Sequence, residues 1–273
     1  MKASKTANVI SILVLIIVAF ITLLPLYIMV MNSFKTDMQY YNSIMSPPLR
    51  PTLDTYRAAW DYVAPFMFNS LLVTIGVTVL SLICSTLAAF AFYKYDFPGK
   101  EFLFAALLAL MMVPGFMTLA PQFVIAKKLK LLNTIIIQIL PLTGATSVLS
   151  TFLIRTYLEG LPKSLFEAAE VEGANVLQTL VRVVVPLCTP ILTVVMINNA
   201  VQAWNNYIWP LVAANVESVR PVVIAIKNSP APLYITYGTK FASYVITSIP
   251  LLILFGFNTK AFVEGMTSGA VKA

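Results

Sequence analysis

A chain of 273 residues that is 59% hydrophobic and 11% charged, with a mean hydropathy of +0.86, lies far from soluble domains, in which about a quarter of residues are charged. Its formal net charge of +7 is scattered singly between apolar runs, and the one dense cluster, Lys127, Lys128 and Lys130, is too small for a nucleic-acid stripe. The absence of His, and two cysteines (Cys84 and Cys188) that both sit in apolar surroundings, leave no metal-ligand spacing, no expected disulfide and little for an enzyme to work with.

The fold class expected is an all-α membrane protein, a single polytopic domain over residues 1–273. Residues 6–34 carry no charge and are long enough for the roughly 20 residues that cross a hydrocarbon core. A signal peptide would be shorter and followed by a small-residue cleavage site, so the run reads as a first span over 9–31, kinked at Pro25. Residues 35–61 hold Pro47, Pro48 and Pro51 and predict a semi-extended surface loop, then a short helix over 53–61. A second span follows at 66–93. Within it Thr74, Thr78, Ser81 and Ser85 recur at steps of four, three and four, which places them on one helical face.

Pro98-Gly99 marks a turn, and the third span, 102–123, is interrupted by Pro114-Gly115. A fourth is expected at 133–155, a fifth at 187–210 and a sixth at 241–259. Residues 217–240, with Pro221, Pro230 and Pro232, predict an irregular re-entrant or surface loop, and the Gly-rich tail after Lys260 is assigned no structure. None of the six spans carries an ionisable group at its middle, which disfavours an ion-coupled carrier. Nor is there a phosphate loop: Gly99-Lys100 lacks the upstream glycine and is followed by Glu101, so any ATP must be bound by another chain.

The fifth span carries Asn198, Asn199, Gln202, Asn205 and Asn206, with 198, 202 and 205 sharing a face. Amides there can meet the hydroxyls of a passing solute, or bond across helices as interhelical glue. Both readings stand for this face and for the Thr74, Thr78, Ser81 stripe.

The sizeable polar segment between apolar runs is the loop 159–186. Ser164 with Glu167 has the spacing of a capping box, so a short helix is expected from Leu165. Gly173 can take the left-handed conformation that ends it, and Asn175 with Gln178 repeats the cap spacing for a second helix running towards Pro186. Glu167, Glu170 and Glu172, with only Lys163 nearby, argue against a helix lying flat on anionic lipid.

Glu167-Ala168-Ala169, then Gly173, then Val185-Pro186, resembles the E-A-A...G...L-P loop of permease subunits of ATP-binding-cassette importers. The chain as a whole resembles the maltose-type carbohydrate permeases, through residues 25–35 (PLYIMVMNSFK), Asn69-Ser70-Leu71, Phe97-Pro98-Gly99-Lys100, Met112-Val113-Pro114, residues 204–211 (WNNYIWPL) and residues 264–272 (EGMTSGAVK). It departs at Glu170, where that family usually has a basic residue, and at Glu172, where Asp is commoner.

The resemblance implies that Ser164, Leu165, Phe166, Glu167, Ala168, Ala169 and Gly173 couple the chain to a separate ATPase. It also implies a second permease subunit, two ATPase subunits that hold the ATP and Mg, an extracytoplasmic solute-binding protein, and no cofactor in this chain. The setting implied is a prokaryotic inner membrane with both termini cytoplasmic. Charge alone gives no orientation, because the 18 Lys and Arg residues divide equally between the two sides of the expected topology.

Overall fold

The computed structural model describes residues 5–227 and 236–270, with side chains omitted at 5–8, 10 and 259–270. Among the described residues there is no β-strand. Thirteen α-helices run in chain order among the described residues: α1 Lys5–Ser33, α2 Asp37–Asn42, α3 Asp54–Lys94, α4 Lys100–Ala109, α5 Leu119–Lys128, α6 Ile135–Glu159, α7 Ser164–Val171, α8 Val176–Thr179, α9 Val185–Leu187, α10 Thr189–Trp204, α11 Ile208–Ala213, α12 Val222–Lys227 and α13 Tyr237–Ala270.

Among the described residues, four helical segments are long and apolar enough to cross a membrane: Ser11–Ser33, Asp54–Lys94, Ile135–Glu159 and Tyr237–Asn258. A fifth results if the pair Val176–Leu187 and Thr189–Trp204, bent by 80°, counts as one broken span. Proline lies inside each of the four long helices, at Pro25, Pro65, Pro141 and Pro250. Membrane helices tolerate it because neighbours and local adjustments satisfy the freed backbone groups.

The expected six-span pattern departs from this at three places. The helix expected at 53–61 and the span at 66–93 are one helix of 41 residues, α3, about 60 Å long by the rise per residue. Charge at Asp54, Arg57 and Asp61 ends the apolar run without ending the helix, and roughly half its length exceeds a hydrocarbon core. The stretch 102–123 is two helices of 10 residues, α4 and α5, joined through a 3-10 turn at Leu110–Met112 and the Pro114-Gly115 break. Val113 is extended (φ −79°, ψ 114°), the conformation a following proline imposes. The stretch 187–210 ends as a helix at Trp204, where Asn205 caps it and bonds back to the Val201 carbonyl.

Two loops also carry more order than expected. α2 lies within the proline-rich segment after the first span, and the segment after 217 holds a 3-10 turn at Glu217–Val219 and α12, in which Val222, Ile224, Ala225 and Ile226 are buried. Pro230 and Pro232 lie outside the described residues. The tail after Lys260 continues α13 to Ala270, since isolated glycines cost a helix only about 1 kcal/mol each and no proline follows Pro250.

The chain divides into two compact units, Met1–Pro65 with Ala225–Ile249, and Phe66–Ile224 with Pro250–Ala273. The first is fastened by polar groups at the end of α1. Asn32 Nδ2 donates to the carbonyls of Ile28 (2.7 Å) and Ile44 (3.0 Å), and the buried Lys35 Nζ donates to that of Ser43 (2.7 Å). Burial lowers the Lys35 pKa below the ordinary ammonium range. Asp37 accepts the Tyr237 amide at 2.8 Å, and the Tyr40 and Tyr237 rings stack at 4.4 Å.

In the second unit a core of Ala89, Phe90, Ile154, Leu158, Leu180, Val184, Cys188, Ile191 and Val195 joins the ends of α3 and α6 to the turn at Leu180–Val184, the bend at Cys188 and α10. The loop with the cap signals is mounted on this core.

Candidate functional site

α6 ends at Glu159, and Gly160 and Leu161 close its last turn by bonding to the Tyr157 and Leu158 carbonyls. α7 then begins one residue earlier than expected. A capping residue must leave the helical region, but Lys163 is already helical (φ −58°, ψ −32°), and the carbonyls of Pro162 and Lys163 accept the first amides from Leu165, Phe166 and Glu167. Ser164 is therefore the first helical residue, not the cap. Pro162 accounts for the shift, because its fixed φ prepares a helical start without a side-chain cap. Glu167 remains in the first turn, where the helix dipole favours a carboxylate.

The other end follows the expected chemistry. Gly173 is left-handed (φ 79°); its amide bonds to the Glu170 carbonyl and the Ala174 amide to that of Ala169, both at 3.0 Å. These two bonds define a Schellman ending and satisfy two of the carbonyls a helix terminus leaves free. Asn175 and Gln178 form a reciprocal capping box, each side chain accepting the other's amide at 2.9 Å. Beyond α8 the backbone widens into a π turn at Leu180–Val184, passes through α9, and bends at the buried Cys188 into α10. π turns occur mostly as single-turn bulges inside helices and often mark functional sites.

α7 is fastened along one face. The Phe166 ring sits 5.0 Å from that of Tyr93, Ala169 is buried, and Glu170 Oε1 lies 2.9 Å from Lys94 Nζ. Glu170, the first departure from the resembling pattern, is thus paired within this chain. Ala168 and Ala169 do not share a role: Ala169 faces the body while Ala168 is exposed. The outward face carries Ser164, Glu167 and Ala168, with Leu165 40% exposed and Val171 89% exposed; Leu177 on α8 is 66% exposed. The outward face thus presents open apolar side chains next to carboxylates, on a helix seated along its other side.

The polar residues of the spans separate into two groups. Asn199 is buried and its Nδ2 donates to Ser81 Oγ (3.0 Å) and Ser150 Oγ (3.2 Å), while Thr146 and Ser147 also reach Ser81, each at 3.2 Å. This hub ties α3, α6 and α10 together, so Ser81 packs, and Asn199 is the packing amide that the shared face of 198, 202 and 205 misses. Thr78 is buried and Thr74 half-buried on the same helix. Asn198 and Gln202 instead bond to each other at 2.6 Å on a face this chain leaves open, with Asn205 exposed one turn on. Asn199→Leu is expected to cost about 1–2 kcal/mol, since two buried hydroxyls lose their shared partner, and this is measurable as a lowered unfolding midpoint in detergent. An unchanged midpoint would remove the hub from the account.

Long apolar helices, several of them broken, make this a membrane protein, and they carry a short helix seated on one face and open on the other. Residues 81–268 match the family described as the binding-protein-dependent transport system inner membrane component. The chain is 31% identical over 277 residues to the arabinooligosaccharides transport system permease protein AraQ of Halalkalibacterium halodurans, covering 98% of this chain and 99% of that one. It is 27% identical to the diacetylchitobiose uptake system permease protein NgcG of Streptomyces coelicolor, covering 94% and 87%. In fold it is similar, at a TM-score of 0.82 and 21% identity, to a chain in the crystal structure of a bacterial ABC transporter involved in the import of the acidic polysaccharide alginate, covering 96% of this chain and 99% of that one. The chain belongs to the binding-protein-dependent transport system inner membrane component family, and is a multi-pass membrane protein.

Proposed function

We propose that this chain is one of two permease subunits in an ATP-driven importer of carbohydrates, with an oligosaccharide as its solute. The observation that carries the reading is the loop 159–186: a short rigid helix, fastened on one side and open on the other, able to receive a push from a second protein. Two ATPase subunits hold ATP and Mg and grip Ser164, Leu165, Glu167, Ala168 and Val171, with Phe166 and Ala169 setting the helix's seat and Gly173 its end. Their closure displaces α7 and turns the core between inward-open and outward-open states. A sister permease completes the path, and a solute-binding protein delivers the sugar from the other side.

This reading places the loop and both termini in the cytoplasm of a prokaryote and six crossings in the inner membrane, the broken α4–α5 and α8–α10 segments supplying two of them. Asn198, Gln202 and Asn205, with Thr74 and Thr78, are the residues proposed to meet sugar hydroxyls, which amides and hydroxyls match as both donors and acceptors. Ser81 stays with the hub. The carbohydrate class rests on relatives named for arabinooligosaccharides, diacetylchitobiose, glucose and galactooligosaccharides.

The alternative within the same class is an importer of another solute, such as an amino acid, a peptide or a phosphate ester. Co-expression with its partner subunits and uptake of short labelled arabinose, galactose and N-acetylglucosamine oligosaccharides decides between them. Uptake that needs ATP and survives collapse of the ion gradients is expected. Uptake of amino acids or peptides alone would favour the alternative, and uptake lost with the ion gradient would refute an ATP-driven importer.

A further inference from the structure

Two side-chain contacts of α7, a ring pair and an ion pair, fall together on one short stretch of one other helix. Phe166 and Glu170 stand four residues apart, hence on the same face of α7, and they meet Tyr93 and Lys94, the last two residues of α3. Ala169, between them, is the one buried residue of α7. Of the ion pairs among the described residues, Lys94 with Glu170 alone involves α7; Arg155 pairs instead with Glu101 and Glu159, joining α4 to α6. Lys94 is only 20% exposed, with its ammonium 5.9 Å from the centre of the buried Phe90 ring, so it is held on the side that meets Glu170.

α3 is unbroken from this clamp to Ser81, 13 residues away and about 20 Å along its axis. At Ser81 the hub of Asn199, Thr146 and Ser147 begins. An unbroken helix passes a displacement of its end along its length, whereas the route through α8 crosses a π turn and the 80° bend before α10.

We infer that Lys94 and Tyr93, with Glu170 and Phe166, form the clamp that transmits movement of α7 to α3 and through it to the polar hub. Lys94 is thereby a positioning residue for transport, acting through Glu170, and touches neither solute nor nucleotide. The inference rests on the proposed role of α7 as the helix gripped by an ATPase, and the test separates the two.

The complex with its ATPase and sister permease is reconstituted in liposomes, and solute imported per ATP hydrolysed is measured together with recovery of the ATPase on the purified permease. Lys94→Glu sets two carboxylates against each other. It is expected to lower import per ATP by about fivefold, within the range of ordinary coupling free energies, with the ATPase still recovered because Lys94 lies off the loop. Adding Glu170→Lys, which restores opposite charges, is expected to return import per ATP to within about twofold of the parent, a rescue that a general loss of packing would not give. Should the reversal fail to insert, Lys94→Met keeps the stem and removes the charge, and is expected to lower import per ATP by about twofold to threefold. Parental coupling in the single variants, or a double variant as defective as Lys94→Glu, overturns the clamp while leaving the role of α7 intact. Failure of the parent complex to retain the ATPase overturns the role of α7, and the clamp with it.

Discussion

Gly173→Val is expected to lower coupled uptake by more than about tenfold while the protein still inserts and folds. Gly173 sits at φ 79°, a region that costs a non-glycine residue about 1–2 kcal/mol and a β-branched one more. A Cβ added there would meet nothing within 4 Å, so the damage is confined to the backbone of the loop. Moving residue 173 out of the left-handed region breaks the two bonds to Glu170 and Ala169 that end α7. A helix of 8 residues has little stability of its own, so losing its terminus frays the element that must carry force. Gly173→Asn is the control, because asparagine tolerates the left-handed region, and most uptake is expected to survive it. Glu167→Lys should lower uptake by another route, reversing charge at the open face and at the start of the helix dipole. Normal transport by the valine variant would show that α7 needs no defined end.

The second large effect is expected at Gly238, in the other compact unit, and bears on stability. A Cβ on Gly238 would run into the backbone carbonyl of Lys35 and come within 2.8 Å of Thr55 Cγ2. The nearest obstacle is main chain and cannot rotate away. Lys35 is buried and holds the Ser43 carbonyl, and Thr55 Oγ1 donates to the Ser33 carbonyl at 2.6 Å, so displacing either disturbs the end of α1. Gly238→Ala is expected to destabilise by about 1–3 kcal/mol, and Gly238→Val by more, as overpacking a close-packed site does. Thermal unfolding in detergent checks this, and an alanine variant as stable as the parent would contradict the close approach.

The parts legible from sequence are those whose cause is local. Asn175 with Gln178, the left-handed Gly173 and the Pro114-Gly115 break each depend on a few neighbouring residues and are found as expected. Ser164 with Glu167 had the right spacing for a capping box but not the right backbone, because Lys163 before it is already helical. The length of α3 was hidden by Asp54, Arg57 and Asp61, since hydropathy reports where apolar contact ends and not where backbone bonding ends. The hub and the clamp were not legible, as their partners lie far apart in the chain: Asn199 meets Ser81 across 118 residues, and Glu170 meets Lys94. The only local hint was that Asn199 falls off the face shared by Asn198, Gln202 and Asn205.

Position 171 offers the most direct measurement, since Val171 is 89% exposed and projects from α7 on the side away from the buried Ala169. In a chain whose two cysteines, Cys84 and Cys188, have been replaced, a single Val171→Cys is treated with a short bifunctional cross-linker in membranes containing the co-expressed ATPase. A covalent adduct with the ATPase, changing in yield between nucleotide-free and ATP-bound conditions and absent for a cysteine at Ala169, is the result predicted. No adduct at 171 under either condition, with the ATPase present and folded, would contradict the claim that a separate motor moves this helix.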